Sequence, residues 1–200
     1  MIAQTEKTGP GAVGEQTEEA APVPEWPPCL VDARSIAARV AELGEELSRR
    51  FARTRPVLLG VLTGAYMFLA DLSRQVRVPH EIALVRASSY GDAATPAPQI
   101  ALQGLRPAAL QGRDVVIVED LLDTGHTLRT IIDTVRNAGA ASVMTCVLVV
   151  KDRGRPYPVQ PDLVGFVVPP LFVVGYGIDY ARAWRHLPYL GWVRPEEEHA

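Results

Sequence analysis

Val115-Val116-Ile117-Val118-Glu119-Asp120-Leu121-Leu122-Asp123-Thr124-Gly125-His126-Thr127-Leu128 decides how the rest of this chain is read. Its first four residues are β-branched and apolar, too short a run for a helix, and they predict a strand buried on both faces in the middle of a parallel sheet. Glu119 and Asp120 place two carboxylates at the carboxyl end of that strand. Thr124-Gly125-His126-Thr127 is a small, hydroxylated turn ahead of Leu128, Ile131, Ile132 and Val135, which fall at helical spacing.

Such a turn suits phosphate. Gly125 lets the backbone come close to a ligand, the helix start presents free amide N–H groups, and the two threonines add hydroxyl donors. The neighbouring carboxylates repel phosphate and need another partner, either sugar hydroxyls or a Mg²⁺ ion that takes one or two carboxylates and keeps its waters. Phosphate and polyol together point to a phosphorylated sugar. The competing reading is structural, with Asp123 or Thr124 capping the helix and the acidic pair standing in solvated loop. Three acids, two threonines and a glycine in one strand-to-helix turn favour the ligand site.

At 200 residues and 48% hydrophobic, the chain suffices for one α/β domain with a core and an appendage. No apolar run reaches membrane-spanning length, and the N-terminus lacks the basic and then apolar build of a signal peptide, so a soluble, cytoplasmic protein is expected. Cys29 and Cys146 sit in dissimilar contexts without metal-ligand spacing, which predicts two reduced thiols, one of them in a core strand. Up to Glu25 there is one Lys against five Glu, a net of −4, which leaves +1 of the overall −3 for the remainder. A nearly neutral domain carries no basic stripe for nucleic acid.

Residues 1–28, rich in Gly, Pro, Glu, Thr and Ala, have the composition of a disordered tail, and residues 194–200 form a short charged one. Cys29-Leu30-Val31 opens the expected domain, 29–193, with Trp26 a candidate to dock on it. Ser35 is the expected N-cap of an amphipathic helix striped by Ile36, Val40, Leu43, Leu47 and Phe51. Val57 to Leu62 is a second buried strand, and Thr63-Gly64-Ala65 leads into the helical pattern from Tyr66 to Leu72. Strand, small-residue turn and helix therefore occur twice, and two such turns at one sheet edge offer amides to a monophosphate and a diphosphate. An ordinary βα connection is the alternative for the second.

Glu81 to Arg86 is a third strand, and Ser88 to Pro98 reads as either an active-site lid or a plain surface loop. Gln99 to Leu102 is a short strand. After the helix from Thr127 to Ala138, Gly139 is the expected C-cap, and Ser142 to Val150 forms another central strand with Lys151 emerging at its end. Asp152-Arg153-Gly154-Arg155-Pro156 continues as a basic turn. From about 163 to 193, short strands, glycines and aromatics suggest a C-terminal flap folded over the sheet edge, either stacking on a flat ring or simply packing itself.

Val-Glu-Asp-Leu-Leu-Asp-Thr-Gly-His-Thr-Leu resembles the signature of the type I phosphoribosyltransferases, and its Glu-Asp-x-x-Asp-Thr-Gly form resembles the hypoxanthine-guanine branch. Lys151 to Pro156, Asp162 to Phe166, Phe172 to Tyr180 and Trp184 to Tyr189 are similar to further blocks of that branch, in order and with similar spacing. The likeness covers about residues 30 to 193. It implies a parallel sheet flanked by helices with a small C-terminal hood, and a purine salvage enzyme. The implied reaction is Mg²⁺-dependent transfer of phosphoribose from 5-phosphoribosyl-1-diphosphate to hypoxanthine or guanine.

By that resemblance, Glu119 and Asp120 meet the ribose 2′ and 3′ hydroxyls, directly or through Mg²⁺, and Asp179 helps hold a Mg²⁺. Asp123, Thr124, Gly125, His126 and Thr127 form the 5′-phosphate cradle, and Asp123 is also the general base near purine N7. Lys151 bonds the purine 6-oxo group, Phe172 stacks on the base and Val173 reads its edge through the backbone. Arg185 and the Leu62-Thr63-Gly64 turn face the diphosphate, and Ser89 and Tyr90 belong to the closing loop. A homo-oligomer, dimer or tetramer, is implied as well.

Thr63 departs from the basic residue that many members carry there, and the segment after Tyr90 is richer in Ala and Pro than theirs. Both departures bear on diphosphate affinity and lid closure more than on the reaction. Two rivals stand beside this reading: a donor-sensing regulatory protein of the same fold, for which a basic dimer face would be expected and the near-neutral domain gives no support, and a transferase that prefers xanthine.

Overall fold

The computed structural model describes residues 26–90 and 99–194, with the backbone alone at 88–90 and 99–101. In chain order the elements are β1 (Cys29–Val31), α1 (Ala33–Arg50), β2 (Val57–Leu62), α2 (Tyr66–Gln75), β3 (Glu81–Tyr90) and β4 (Gln99–Gln103). There follow α3 (Pro107–Leu110), β5 (Asp114–Leu122), α4 (His126–Asn137), β6 (Ser142–Lys151), β7 (Leu163–Val168), β8 (Phe172–Val174) and β9 (Leu190–Val193). No helix among the described residues is long and apolar enough to cross a membrane.

Six strands form one sheet in the order β4-β3-β2-β5-β6-β7, parallel throughout except for the antiparallel edge strand β4. β5 is buried on both faces, as its β-branched run predicts. Alternation of period two sends Val116 and Val118, with Leu58, Cys146 and Leu148, toward the buried stripes of α1 and α2. Val115 and Ile117, with Val57, Leu59 and Val147, pack against Leu128, Ile131, Ile132 and Val135 of α4. The chain leaves β2 for β3 on one side and later returns to β5 on the other, so the carboxyl ends of β2 and β5 flank the topological switch point where α/β folds place ligands.

A second, antiparallel sheet, β1-β9-β8, forms a hood. Its Val173, Tyr176, Ile178 and Leu190 join the core cluster on the α1 and α2 side. The expected limits of the flap change at both ends. β7 belongs to the main sheet, in parallel register with β6 from Cys146↔Leu163 to Lys151↔Val168. Gly165, which had the look of a flap glycine, is where the strands approach too closely for any side chain, since a Cβ there would strike the Leu148 carbonyl. Arg39 of α1 covers the outer edge, donating to Val164 O at 2.7 Å and Gly165 O at 3.1 Å. In exchange, β1 from the beginning of the domain pairs with β9 at its end.

Of the expected tails, residues 1–25 and 195–200 lie outside the described residues. Trp26 to Pro28 are bound into the hood: Pro27 O accepts from Tyr189 Oη at 2.9 Å, Pro28 O accepts from Trp192 N–H at 3.3 Å, and the Trp26 ring lies 6.0 Å from that of Trp184. Asp32, not Ser35, caps α1. Its Oδ1 accepts the Ser35 N–H at 2.8 Å, and Ser35 itself sits in the first turn as the donor. Ser89 and Tyr90 are strand residues of β3, paired with Ile100 and Gln99 of β4, because antiparallel pairing prolongs the strand beyond its apolar part. The expected lid beyond them, 91–98, lies outside the described residues.

Candidate active site

Parallel register brings the chemistry together. Val118 of β5 is level with Gly60 of β2, and Leu122 is level with Val150 of β6. The acids after Val118 therefore lie beside the Leu62-Thr63-Gly64 turn on one side, and Asp123 lies beside Lys151 on the other. The Leu62–Thr63 peptide is cis. A Cβ on residue 64 would fall within the Asp120 carboxylate, and one on residue 177 would fall on the Gly64 carbonyl. At Gly64 and Gly177 the absence of a side chain is thus what allows β2, β5 and the hood to converge. Gly177 also has φ +100°.

Glu119 is 7% exposed, and its Oε2 has no hydrogen-bond partner among the described residues. Burial pushes its carboxyl well above the usual carboxylate range, and the charge of Asp120 and a hydrogen bond between the two carboxyls add to the rise. Burial also raises Asp120, against opposing contributions from the Glu119 hydrogen bond, from backbone N–H groups and from the Arg185 charge. An orphaned carboxyl oxygen beside a second acid is a demand for a donor or a cation. Sugar hydroxyls fit, and so does a hard divalent ion that takes one or two carboxylates. Three acids do not close into a cage: among the described residues no group of three or more metal-ligating side chains converges. Asp179 is instead paired with Arg185 at 2.6 Å and accepts the Arg182 N–H at 2.9 Å. Arg185 also donates to Gly177 O at 2.6 Å.

Asp123, Thr124, Gly125 and Thr127 line a cavity of about 250 Å³ together with Glu119 and Asp120, whereas His126 lines a separate cavity that shares Thr124. Neither Asp123 nor Thr124 caps α4. The N-cap is Gly125 at φ +85°, with no side-chain cap bond. The Arg129 N–H is the one that returns to Gly125 O, at 3.0 Å, so the amides of His126, Thr127 and Leu128 have no partner within the helix. With hydroxyls at Thr124 and Thr127, they form an anion cradle. A larger cavity of about 410 Å³ lies by Ile82, Leu84 and Arg106, and none of the site residues lines it.

Lys151 is 6% exposed and donates to Asp123 Oδ2 at 3.1 Å. Arg153 donates to the other oxygen of the same carboxylate. Burial pushes the Asp123 carboxyl up, but the hydrogen bonds and charges of Lys151 and Arg153 outweigh it and hold the group below its ordinary value. Lys151 Nζ also stands 5.4 Å from the centre of the half-exposed Phe172 ring, which packs nearly perpendicular to the Tyr180 ring with their centres 5.0 Å apart. Val173, level with Trp192, turns its side chain into the core and so follows Phe172 with its backbone alone. Four non-glycine residues between Tyr176 and Trp184 have positive φ, a concentration of backbone strain around Asp179.

The acidic pair, the phosphate turn, Lys151, Phe172, Asp179 and Arg185 are thus gathered around the carboxyl edge of β2, β5 and β6. Arg153 and Tyr157 were missed as individual residues. Tyr157 Oη bonds to the Lys151 carbonyl, and Pro158 packs on Gly125, so the turn after β6 straps the phosphate turn in place. The signal available for Arg153 was its place in a basic turn directly after Lys151. Ser89 and Tyr90 are placed by backbone alone.

A buried acidic pair beside an anion cradle at a topological switch point defines a binder of phosphorylated sugars. The pattern of the phosphoribosyl transferase domain matches residues 30–181, and the chain belongs to that family. It is 40% identical to the hypoxanthine phosphoribosyltransferase of Salmonella typhimurium over 164 residues, 81% of this chain and 92% of that protein. It is 37% identical to the hypoxanthine-guanine phosphoribosyltransferase of Bacillus subtilis over 166 residues, 83% and 92% of the two chains. Among solved structures, the hypoxanthine phosphoribosyltransferase of Trypanosoma cruzi superposes with a TM-score of 0.77 at 32% identity, covering 84% of this chain and 95% of that one. A hypoxanthine-guanine phosphoribosyltransferase of Bacillus anthracis gives the same TM-score at 31% identity, covering 83% and 98%.

Proposed function

We propose that this chain transfers phosphoribose from 5-phosphoribosyl-1-diphosphate to hypoxanthine and guanine in purine salvage. The observation that carries the reading is the position of Lys151. It is buried at the end of β6, bonded to Asp123 and held over the open Phe172 ring, one strand away from the acidic pair and the phosphate cradle. A lysine there can donate to a 6-oxo group while an aromatic face supports the base.

In this reading the 5′-phosphate lies on the amides of His126, Thr127 and Leu128, with Thr124 and Thr127 donating, and Arg185 and the Leu62-Thr63-Gly64 amides face the diphosphate. Glu119 and Asp120 take the ribose hydroxyls. The orphaned Glu119 oxygen supports a place for Mg²⁺, with Glu119 and Asp120 as the residues that would hold it; Asp179, expected to help, is engaged by Arg185 instead. When bound, that ion supplies positive charge to the leaving diphosphate. N9 of the purine bonds to ribose C1′ as the bond from C1′ to the diphosphate oxygen breaks. Pyrophosphate leaves with the electron pair, and the proton lost from N7 passes to Asp123. Fixed donors around the leaving group and exclusion of water from C1′ stabilise this step. A homo-oligomer in the cytoplasm belongs to the same reading through family likeness.

The test is to incubate the protein with donor, Mg²⁺ and hypoxanthine, guanine or xanthine in separate reactions, following nucleotide by chromatography. IMP and GMP should form, with xanthine turned over more slowly. No nucleotide from any oxopurine would remove the assignment, and a faster rate on xanthine would replace the substrate. Asp123→Asn should lower turnover more than donor binding.

A further inference from the structure

Resting on that reading, we infer that Arg153 is a positioning residue for the proton-accepting carboxylate, holding Asp123 in place while Lys151 turns to the incoming oxopurine. The carboxylate is gripped from both sides, with Lys151 Nζ on Oδ2 at 3.1 Å and Arg153 on Oδ1. These two donors cannot have the same task. Lys151 is buried over Phe172, where a base would lie, and has to share its three N–H groups between Asp123 and the 6-oxo oxygen. Arg153 lines a different cavity, of about 390 Å³, with Thr124, His126 and Arg155, which neither Lys151 nor Phe172 lines. It approaches Asp123 from outside the base site and stays bonded when Lys151 is drawn away.

The anchor of Arg153 is itself fixed. Asp152 N–H donates to Val168 O at 2.7 Å, and Asp152 Oδ1 accepts the Gly154 N–H at 3.0 Å, which closes a turn around residue 153. Tyr157 Oη then ties the segment to the Lys151 carbonyl. The terminal torsion of an aspartate is broad, so a carboxylate held by one flexible lysine can rotate away from a reacting atom. A guanidinium on Oδ1 removes that freedom and leaves Oδ2 facing the base. The charged and titratable groups near Asp123 are then Lys151 and Arg153 in contact, Asp152, Arg155 and Tyr157 along the same segment, and His126 at the start of α4.

The experiment compares the intact protein with Arg153→Ala, Arg153→Gln and Arg153→Lys in steady-state kinetics across pH, varying donor and hypoxanthine separately. Arg153→Ala should lower kcat by about tenfold or more and raise KM for hypoxanthine, with KM for the donor changed by less than about twofold. Its acid limb should move to higher pH, because a cation that keeps the base ionised is gone. Arg153→Gln, closer in size, should show the same shift if Arg153→Ala fails to fold, and Arg153→Lys should restore the acid limb and part of kcat. A merely structural role would not move the limb. An active wild type with kcat and acid limb unchanged in Arg153→Ala and Arg153→Gln overturns this inference alone. So does a donor KM that rises as much as the base KM, which would make Arg153 a phosphate ligand. If the wild type forms no nucleotide, the transferase reading falls and takes this inference with it.

Discussion

The Asp120 carboxylate rests against the α-carbon of Gly64, in the space that any side chain at position 64 would need. Adjacent strand ends are thereby locked together, and the turn proposed to face the diphosphate takes its position from the acid proposed to face the ribose. Gly64→Ala should leave the fold intact and lower kcat/KM for the donor by about 100-fold, roughly 2.7 kcal/mol of transition-state stabilisation. Circular dichroism with donor-varied kinetics would check it, and a near-wild-type kcat/KM would show that the contact is dispensable.

Glu119 predicts a pH dependence of stability. Its carboxyl, ordinarily near 4.5, is raised in the folded chain by burial and by Asp120, so the folded form binds more protons than the unfolded one between those values. The stabilisation from this group is complete below the ordinary value and is lost as pH rises through the raised one. Glu119→Gln should therefore raise the melting temperature of the ligand-free protein by a few degrees at pH 8 while weakening donor binding in Mg²⁺. Calorimetric scans from pH 5 to 8 would decide it, and a lower melting temperature for Glu119→Gln at pH 8 would refute it.

Ile117 is fully buried at the middle of the central strand, against α4. Ile117→Ala should cost about 3–4 kcal/mol of stability, read as a lower urea midpoint at unchanged slope. A loss of less than about 1 kcal/mol would mean that the core refills the space.

The two thiols should differ in reactivity. Cys29 is exposed, whereas Cys146 is buried and its thiol is pushed up to about 12 by burial. Iodoacetamide should modify the native protein at Cys29 alone, with Cys146 labelled after unfolding. Peptide mass spectrometry reads the outcome, and labelling of native Cys146 would contradict its burial.

Much of this was legible in local pattern. The run from Val115 to Val118 and the acids after it announced a central strand delivering carboxylates, because β-branched residues and a two-residue period are properties of neighbours in sequence. Ser35 misled because two polar residues three apart both suit a helix start, and the one that caps is settled by backbone geometry at Asp32. β7 resembles part of the flap in sequence because its glycine and the prolines after it look irregular, and only the parallel pairing with β6 assigns it to the main sheet. The orphaned oxygen of Glu119 and the double grip on Asp123 arise from burial and from register between strands distant in sequence, which no single stretch of residues records.

The pairing of β1 with β9 has a consequence for how the protein is made. Cys29 to Val31 leave the ribosome among the earliest residues of the domain, and their partners Leu190 to Val193 among the latest. The sheet that carries Val173 and the Phe172 ring therefore closes after β2, β5 and their turns have been synthesised. A nascent chain would thus complete β2, β5, β6 and their turns first and set the Phe172 ring over Lys151 only with the final strand, and the seam that closes the hood joins the two ends of the fold.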